Sequence, residues 1–208
     1  MTSLSPGSAD ALLFDLGRVV LDIDFSKAIA CWAGHAGCKP EAIVTRYVRD
    51  SEAYRLHEVG KISDEDYFET LRASLGIRIS DAQFLEGWNA IFAGEMPNIA
   101  ELLPRAARHL PLYVFSNTNR PHIDYFSKQY ADVLGHFREL YLSSSIGLRK
   151  PDAEAFDHVV AAIGVPAQRI VFFDDLAENV EGARARGLTA VHVTSPRDVG
   201  DALKALGL

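Results

Sequence analysis

Five short apolar runs limit what this chain can fold into: ALLFDL (11–16), LYVFSN (112–117), LYLSS (140–144), IVFFDD (170–175) and AVHVT (190–194). They are rich in aromatic and β-branched residues, lack strict apolar–polar alternation, and run out into polar or turn-forming residues. That combination predicts strands buried on both faces. From residue 98 onward the runs alternate with helical patterns: IAELLPRAARHL, a segment around 120–130, AEAFDHVVAAIG stopped by Gly164, and AENVEGARARG stopped by Gly187. Pro104 falls inside the first of these and marks a place for a break or kink. Strand–helix alternation with short links predicts an α/β fold, a parallel sheet covered by helices on both faces.

Residues 25–97 read differently, with helix-length patterns and no convincing strand. SDEDYFETLRASLG (63–76) opens on Ser63 and Asp66 in a capping-box arrangement and closes on Gly76; SDAQFLEGWNAIFAG (80–94) opens on Ser80 and Gln83 and closes on Gly94. The expected organisation is a core built from 1–24 and 98–208, with an all-helical insertion at 25–97 after the first strand.

A chain of 208 residues is long enough for one well-packed core and a modest second lobe. Its 48% hydrophobic and 24% charged residues are those of a globular protein. The formal net charge of −7 excludes a general attraction to nucleic acid or an anionic membrane. A small anionic ligand remains compatible, because charges inside a pocket outweigh a distant, screened net charge. The start, MTSLSPGSAD, lacks the basic and apolar regions of a signal peptide, and no apolar run approaches the roughly 20 residues that span a bilayer. Cys31 and Cys38 are expected to be free thiols. These features predict a soluble, cytoplasmic protein.

Ligands of an open parallel sheet bind beyond the carboxyl ends of its strands. The residues there are Asp15, Ser116 with Asn117, and the pair Asp174 and Asp175, while Lys150 follows the third run in GLRKPD. A carboxylate, a hydroxyl, a cation and two further acids suit phosphoryl transfer, in which the protein mainly positions groups and stabilises charge.

FDLGRVVLDIDF (14–25), VFSNTN (114–119), RKPDAEAF (149–156) and VFFDDLAENVEGA (171–183) resemble, in this order, the four motifs of the haloacid dehalogenase (HAD) superfamily. Within it, their wording looks closest to the bacterial sugar-phosphate phosphatases that act on α-D-glucose 1-phosphate. The resemblance spans essentially the whole chain. It implies a Rossmann-like core with a helical cap domain at 25–97, and Mg²⁺-dependent hydrolysis of a small phosphate monoester such as glucose 1-phosphate. Asp15 would be the nucleophile, forming an aspartyl-phosphate that water then cleaves. Magnesium would be held by Asp15, the backbone carbonyl of Gly17 and an acid of the fourth motif. Asp175 is preferred as the direct ligand, with Asp174 behind it or acting through water. Ser116 and the backbone N–H of Asn117 would bind a phosphate oxygen, and Lys150 would place its charge on the phosphate and on Asp15. Asn179 either orients the two acids or packs at a helix start.

The pattern departs from the superfamily at Gly17, where most of its phosphatases carry a second aspartate that protonates the leaving group. The sugar-phosphate phosphatases share this glycine. Asp22, Asp24, a cap histidine such as His57, or ordered water are the alternative stand-ins. Arg18 either reaches phosphate or points to solvent. Trp32, Tyr54, His57 and Trp88 are first expected to be core residues of the cap, the alternative being that they face the active site. Two other functions fit parts of the pattern. A 2-haloacid dehalogenase needs no metal, so the acid pair argues against it. A catalytically weak pseudo-phosphatase, binding a phosphorylated ligand or partner, would follow from the loss at Gly17. The expected partner is a small phosphorylated metabolite, with neither nucleic acid nor membrane.

Overall fold

The computed structural model describes residues 4–47 and 51–208. Its elements begin with β1 (Ala11–Phe14), β2 (Leu21–Ile23), α1 (Phe25–Ala36), α2 (Pro40–Val44), α3 (Glu52–Glu58) and α4 (Asp64–Leu75). Next come α5 (Asp81–Asn89), β3 (Phe92–Glu95), α6 (Ile99–Ala107), β4 (Leu112–Ser116), α7 (Arg120–Gln129) and α8 (Ala131–Leu134). The chain continues with β5 (Glu139–Leu142), α9 (Ser143–Ile146), α10 (Ala153–Ile163), β6 (Ile170–Asp174), α11 (Ala177–Ala185), β7 (Thr189–His192) and α12 (Arg197–Ala205).

The five apolar runs become one parallel sheet in the order β5-β4-β1-β6-β7. Side chains alternate across it with the period of two that strands impose. Leu12, Phe14, Val114 and Phe173 meet Leu103 of α6, Phe126 of α7 and Leu203 of α12 on one face. Leu13, Phe115 and Phe172 meet Phe156 and Val159 of α10 and Val180 of α11 on the other. Helices cover both faces, so neither needs polar residues, and the runs therefore show no alternation in sequence. The helix α6 continues through Pro104 without a break, and α12, which the sequence patterns left unnamed, packs on the first face.

The helices α1, α2, α4 and α5 surround a separate apolar cluster around Trp32, Leu71, Phe84 and Trp88. Local signals account for their ends. Asp24 caps α1 by accepting from Ser26 N–H, and Ser80 with Gln83 forms a complete capping box on α5. On α4 only half of the expected box forms: Ser63 accepts from Asp66 N–H, but its hydroxyl also donates to Asp66 Oδ2. Gly87 on α5 lets α1 approach closely, since a Cβ there would lie 2.3 Å from Trp32 Nε1.

One expectation about this region is overturned. The second helix does not run to Gly94; it ends at Asn89, and Gly94 lies inside β3. That strand pairs antiparallel with β2, so the insertion is helical above a two-stranded ribbon at its base. Strands of three and four residues are too short to show a periodic pattern, and the ribbon holds only through its partner and the adjoining core. Among the described residues no helix is long and apolar enough to cross a membrane, and Cys31 and Cys38 are free.

Candidate active site

Asp15, Ser116 and Asp174 end or immediately follow the adjacent strands β1, β4 and β6, which places them side by side at one edge of the sheet. Lys150 reaches the same point from the loop before α10. Its Nζ lies 2.7 Å from Asp15 Oδ1 and 2.7 Å from Asp174 Oδ2. All three side chains are buried. The ammonium also packs 5.3 Å from the ring centroids of both Phe115 and Phe172, which form an aromatic floor beneath it.

The backbone around Lys150 is pinned by Asn117. Its Oδ1 accepts from Lys150 N–H and its Nδ2 donates to Lys150 C=O, both at 2.9 Å. Asp174 is fixed in turn: Oδ1 accepts from Leu176 N–H at 2.9 Å, and Asn179 Nδ2 donates to both oxygens at 3.0 and 3.1 Å. Of the two alternatives for Asn179, the structure therefore shows it orienting an acid. Asp175 is less constrained and lies 4.0 Å from Arg18 Nη1. Arg18 itself adopts φ 60, unusual for a side-chain-bearing residue, and its side chain is 53% exposed, so it leans towards Asp175 at the mouth of the site.

Burial pushes the Asp15 carboxyl up to about 7, against the pull of Lys150. Burial works against the Lys150 ammonium, but Asp15 and Asp174 outweigh it and hold its pKa above the ordinary range. Burial, then Asp174, raises Asp175. Oxygens of Asp15, Asp174 and Asp175 all lie within 4.8 Å of one another. Three carboxylates against one ammonium make an all-oxygen, net-anionic set that fits a small hard divalent cation. Asn179 Oδ1 supports that fit, being a buried acceptor without a hydrogen-bond partner where a cation-bound water would donate.

A cavity of about 400 Å³ opens over Asp15, lined by Gly17, Ser116, Asn117, Lys150 and Asp175 among others. Of the candidate stand-ins for a general acid, the side chains of Asp22, Asp24 and His57 do not line it. Asp24 is the α1 cap, and Asp22 lines a neighbouring surface depression. His57 stacks on Tyr67 with its Nε2 2.7 Å from Asp64. At Gly17 a Cβ would meet Ile23 Cγ1 at 3.3 Å, so a side chain there would need Ile23 to give way. Trp32, His57 and Trp88 are core residues of the lobe, as first expected, whereas Tyr54 lines the cavity.

Three cavity residues went unrecognised in the sequence: Glu58, His122 and the functional part of Arg149. Glu58 on α3 binds Arg149 Nε and Nη2 at 3.1 and 3.0 Å, and its carbonyl accepts from Ser143 Oγ at 2.7 Å. His122 accepts from Asn119 Nδ2 at 3.0 Å and donates from Nε2 to Trp88 C=O at 3.0 Å. Trp88 Nε1 donates to Asn119 Oδ1 at 3.1 Å. These contacts fasten the helical lobe to the sheet across the cavity. Glu58 and Arg149 are 91 positions apart, so no local signal links them.

A family model for haloacid dehalogenase-like hydrolases matches residues 9–187. The chain is 23% identical to D-ribitol-5-phosphate phosphatase of Bacteroides thetaiotaomicron over 85% of this chain and 87% of that one. It is 26% identical to a sesquiterpene phosphatase of Aspergillus oryzae over 70% of this chain and 74% of its relative. A HAD family enzyme from Bacteroides thetaiotaomicron, crystallised with magnesium and inorganic phosphate, superposes with a TM-score of 0.76 at 24% identity, covering 88% of this chain and 93% of that one.

Proposed function

This chain belongs to the haloacid dehalogenase-like hydrolases, and from that premise we propose that it is a Mg²⁺-dependent phosphatase acting on a small phosphate monoester through Asp15. One observation carries the reading: a single buried ammonium, Lys150, is shared between Asp15 and Asp174 beside a third carboxylate, leaving two negative charges for a divalent cation to balance.

Asp15, Asp175 and the Gly17 carbonyl would hold magnesium. Asp174 is already committed to Lys150, Leu176 and Asn179, and orients the cluster from behind. When bound, the cation offsets the repulsion between the Asp15 carboxylate and the phosphate dianion. Asp15 attacks phosphorus; the new P–O bond to its carboxylate forms as the ester P–O bond breaks, and the alcohol leaves with a proton taken from water. Water then attacks the aspartyl-phosphate at phosphorus, releasing inorganic phosphate and restoring Asp15. Ser116 and the Asn117 N–H hold the phosphate oxygens, and Lys150 supplies a fixed positive charge whose position Asn117 sets. In this reading residues 25–97 are a cap domain over a core of 1–24 and 98–208. The two free thiols agree with a cytoplasmic location.

The sugar-phosphate expectation is supported by the likeness to D-ribitol-5-phosphate phosphatase, yet a sesquiterpene phosphatase is about equally similar. Similarity thus leaves the alcohol open. Gly17 favours a second reading, a pseudo-phosphatase that binds a phosphorylated ligand without turning it over. Assay of p-nitrophenyl phosphate hydrolysis with Mg²⁺ and with EDTA, beside Asp15→Asn, separates the two. Magnesium-dependent phosphate release that vanishes in the variant is expected; folded, magnesium-binding protein without release would overturn the phosphatase reading.

A further inference from the structure

The cavity over Asp15 is lined by two chemically different sets of residues. Asp15, Ser116, Asn117, Lys150 and Asp175 are the polar set that would take the phosphate. Ile23, Phe25, Ile91, Phe92, Phe126 and Leu176 are an apolar set against which a leaving alcohol would pack. Four of these, Ile23, Phe25, Ile91 and Phe92, come from the β2–β3 ribbon and the base of the lobe, so most of the wall is built where the insertion joins the sheet. Leu176 stands directly beyond the acid pair and is 42% exposed, one of only three large hydrophobic side chains left exposed among the described residues.

Several polar residues of the lining are already engaged. The Glu58 carboxylate takes Arg149 through two nitrogens, and the Tyr54 hydroxyl is bonded to Glu58. His122 has both ring nitrogens occupied, one by Asn119 and the other by Trp88 C=O. Arg18 is more than half exposed, and Glu178 is exposed at the start of α11, so both sit at the rim. A polyol buried here would give up water for a surface with few donors or acceptors to spare, whereas each methylene would gain from leaving water.

We infer that the alcohol released from this site is predominantly hydrocarbon: the substrate class is phosphomonoesters of alkyl or aryl alcohols, read through the apolar wall, rather than phosphates of polyhydroxylated sugars. The inference rests on the phosphatase reading for its turnover, and on the wall alone for its specificity.

A series of primary n-alkyl phosphates, methyl through octyl, tests it against ribitol 5-phosphate and glucose 1-phosphate. The alkyl members from ethyl upward share nearly the same leaving-group acidity, so chain length reports the wall and not the chemistry. With Mg²⁺, kcat/KM is expected to rise about fourfold per methylene until the cavity is filled. Octyl phosphate should exceed ribitol 5-phosphate by at least about tenfold, a modest share of what several buried methylenes supply. Phe92→Ser should flatten the slope. Calorimetric titration of Asp15→Asn with the same esters gives a second reading that needs no turnover. Hydrolysis with flat or falling kcat/KM, or a preference for ribitol 5-phosphate, would overturn this inference and leave the phosphatase standing. Affinity that climbs with chain length while no ester turns over would do the reverse. Neither turnover nor a chain-length trend would overturn both.

Discussion

Lys150 Nζ stands 2.7 Å from Asp174 Oδ2, with the lysine side chain 1% exposed and the aspartate 0%. A buried ion pair of this kind need not add stability over an apolar equivalent, but losing one partner strands the other charge. Lys150→Met leaves Asp174 and Asp15 facing each other without compensation. Urea unfolding without metal should show a loss of about 3–5 kcal/mol. Added Mg²⁺ should narrow the gap to wild type, since a cation that binds only the folded state restores part of the missing charge. A gap that magnesium leaves untouched would argue against a cation among these acids.

The two neighbouring aspartates should respond differently to removal. Asp174 receives Lys150, Leu176 N–H and Asn179, so Asp174→Asn should lower the stability of metal-free protein as well as activity. Asp175 is a like charge beside Asp174, and burial already raises its pKa. Asp175→Asn should leave metal-free stability unchanged or higher while weakening Mg²⁺ binding by at least about 10–100-fold, the scale already reached when a metal site loses only an outer-shell partner. Isothermal titration with Mg²⁺ and thermal unfolding of both variants decide the matter.

Gly17 provides no side chain to protonate a leaving group, and the carboxylates at Asp22 and Asp24 lie outside the cavity. Transfer of phosphate to Asp15 should therefore depend steeply on the acidity of the alcohol. Single-turnover rates for p-nitrophenyl phosphate should exceed those for ethyl phosphate by roughly 10²-fold or more, the range that general acid catalysis would otherwise supply. Near-equal rates would reveal a proton donor within the cavity.

His122 of α7 is buried against Trp88 of the lobe, and burial drives its pKa from 6.5 to about 3. The folded protein keeps this ring neutral while the unfolded chain protonates it below about 6.5. Its contribution is therefore present above that pH and is lost as pH falls towards 3, by up to about 1.4 kcal/mol per unit. His122→Gln should be less stable at pH 7 but lose less on acidification than wild type. Urea midpoints of both proteins at pH 6.5 and 4.5 measure the difference.

Gly87→Ala would set a methyl group against the Trp32 indole, which is fully enclosed and donates to Phe84 C=O at 2.9 Å. Overpacking of this kind costs about 1–3 kcal/mol. Tryptophan fluorescence should report the loss, whereas Mg²⁺ affinity at the sheet edge should stay as in wild type.

Much of this arrangement was legible from local pattern. The strand runs that end at Asp15, Ser116 and Asp174 were identifiable because a doubly covered sheet needs short, continuous apolar segments. Helix starts at Ser63 and Ser80 were readable because their caps are made within three residues. The ribbon of β2 and β3 was not: GEMPN follows FA without a break in pattern, and only pairing with Leu21–Ile23 makes Phe92–Glu95 a strand. Nor was Asn117's hold on Lys150 legible, since its amide meets a backbone 33 positions away.

The sequence by itself determined the parallel sheet, the helical insertion, an acid and a hydroxyl at strand ends and a lysine after the third run, because these follow from short-range periodicity and from the chain order of the runs. Tertiary structure alone decided that Lys150 would join Asp15 to Asp174, that Glu58 would lock onto Arg149, and that Ile23, Phe92, Phe126 and Leu176 would share one cavity with Asp15. Those features arise where surfaces from distant parts of the chain meet. Their energies depend on burial and on the partner brought alongside, neither of which leaves a mark in the local pattern of residues.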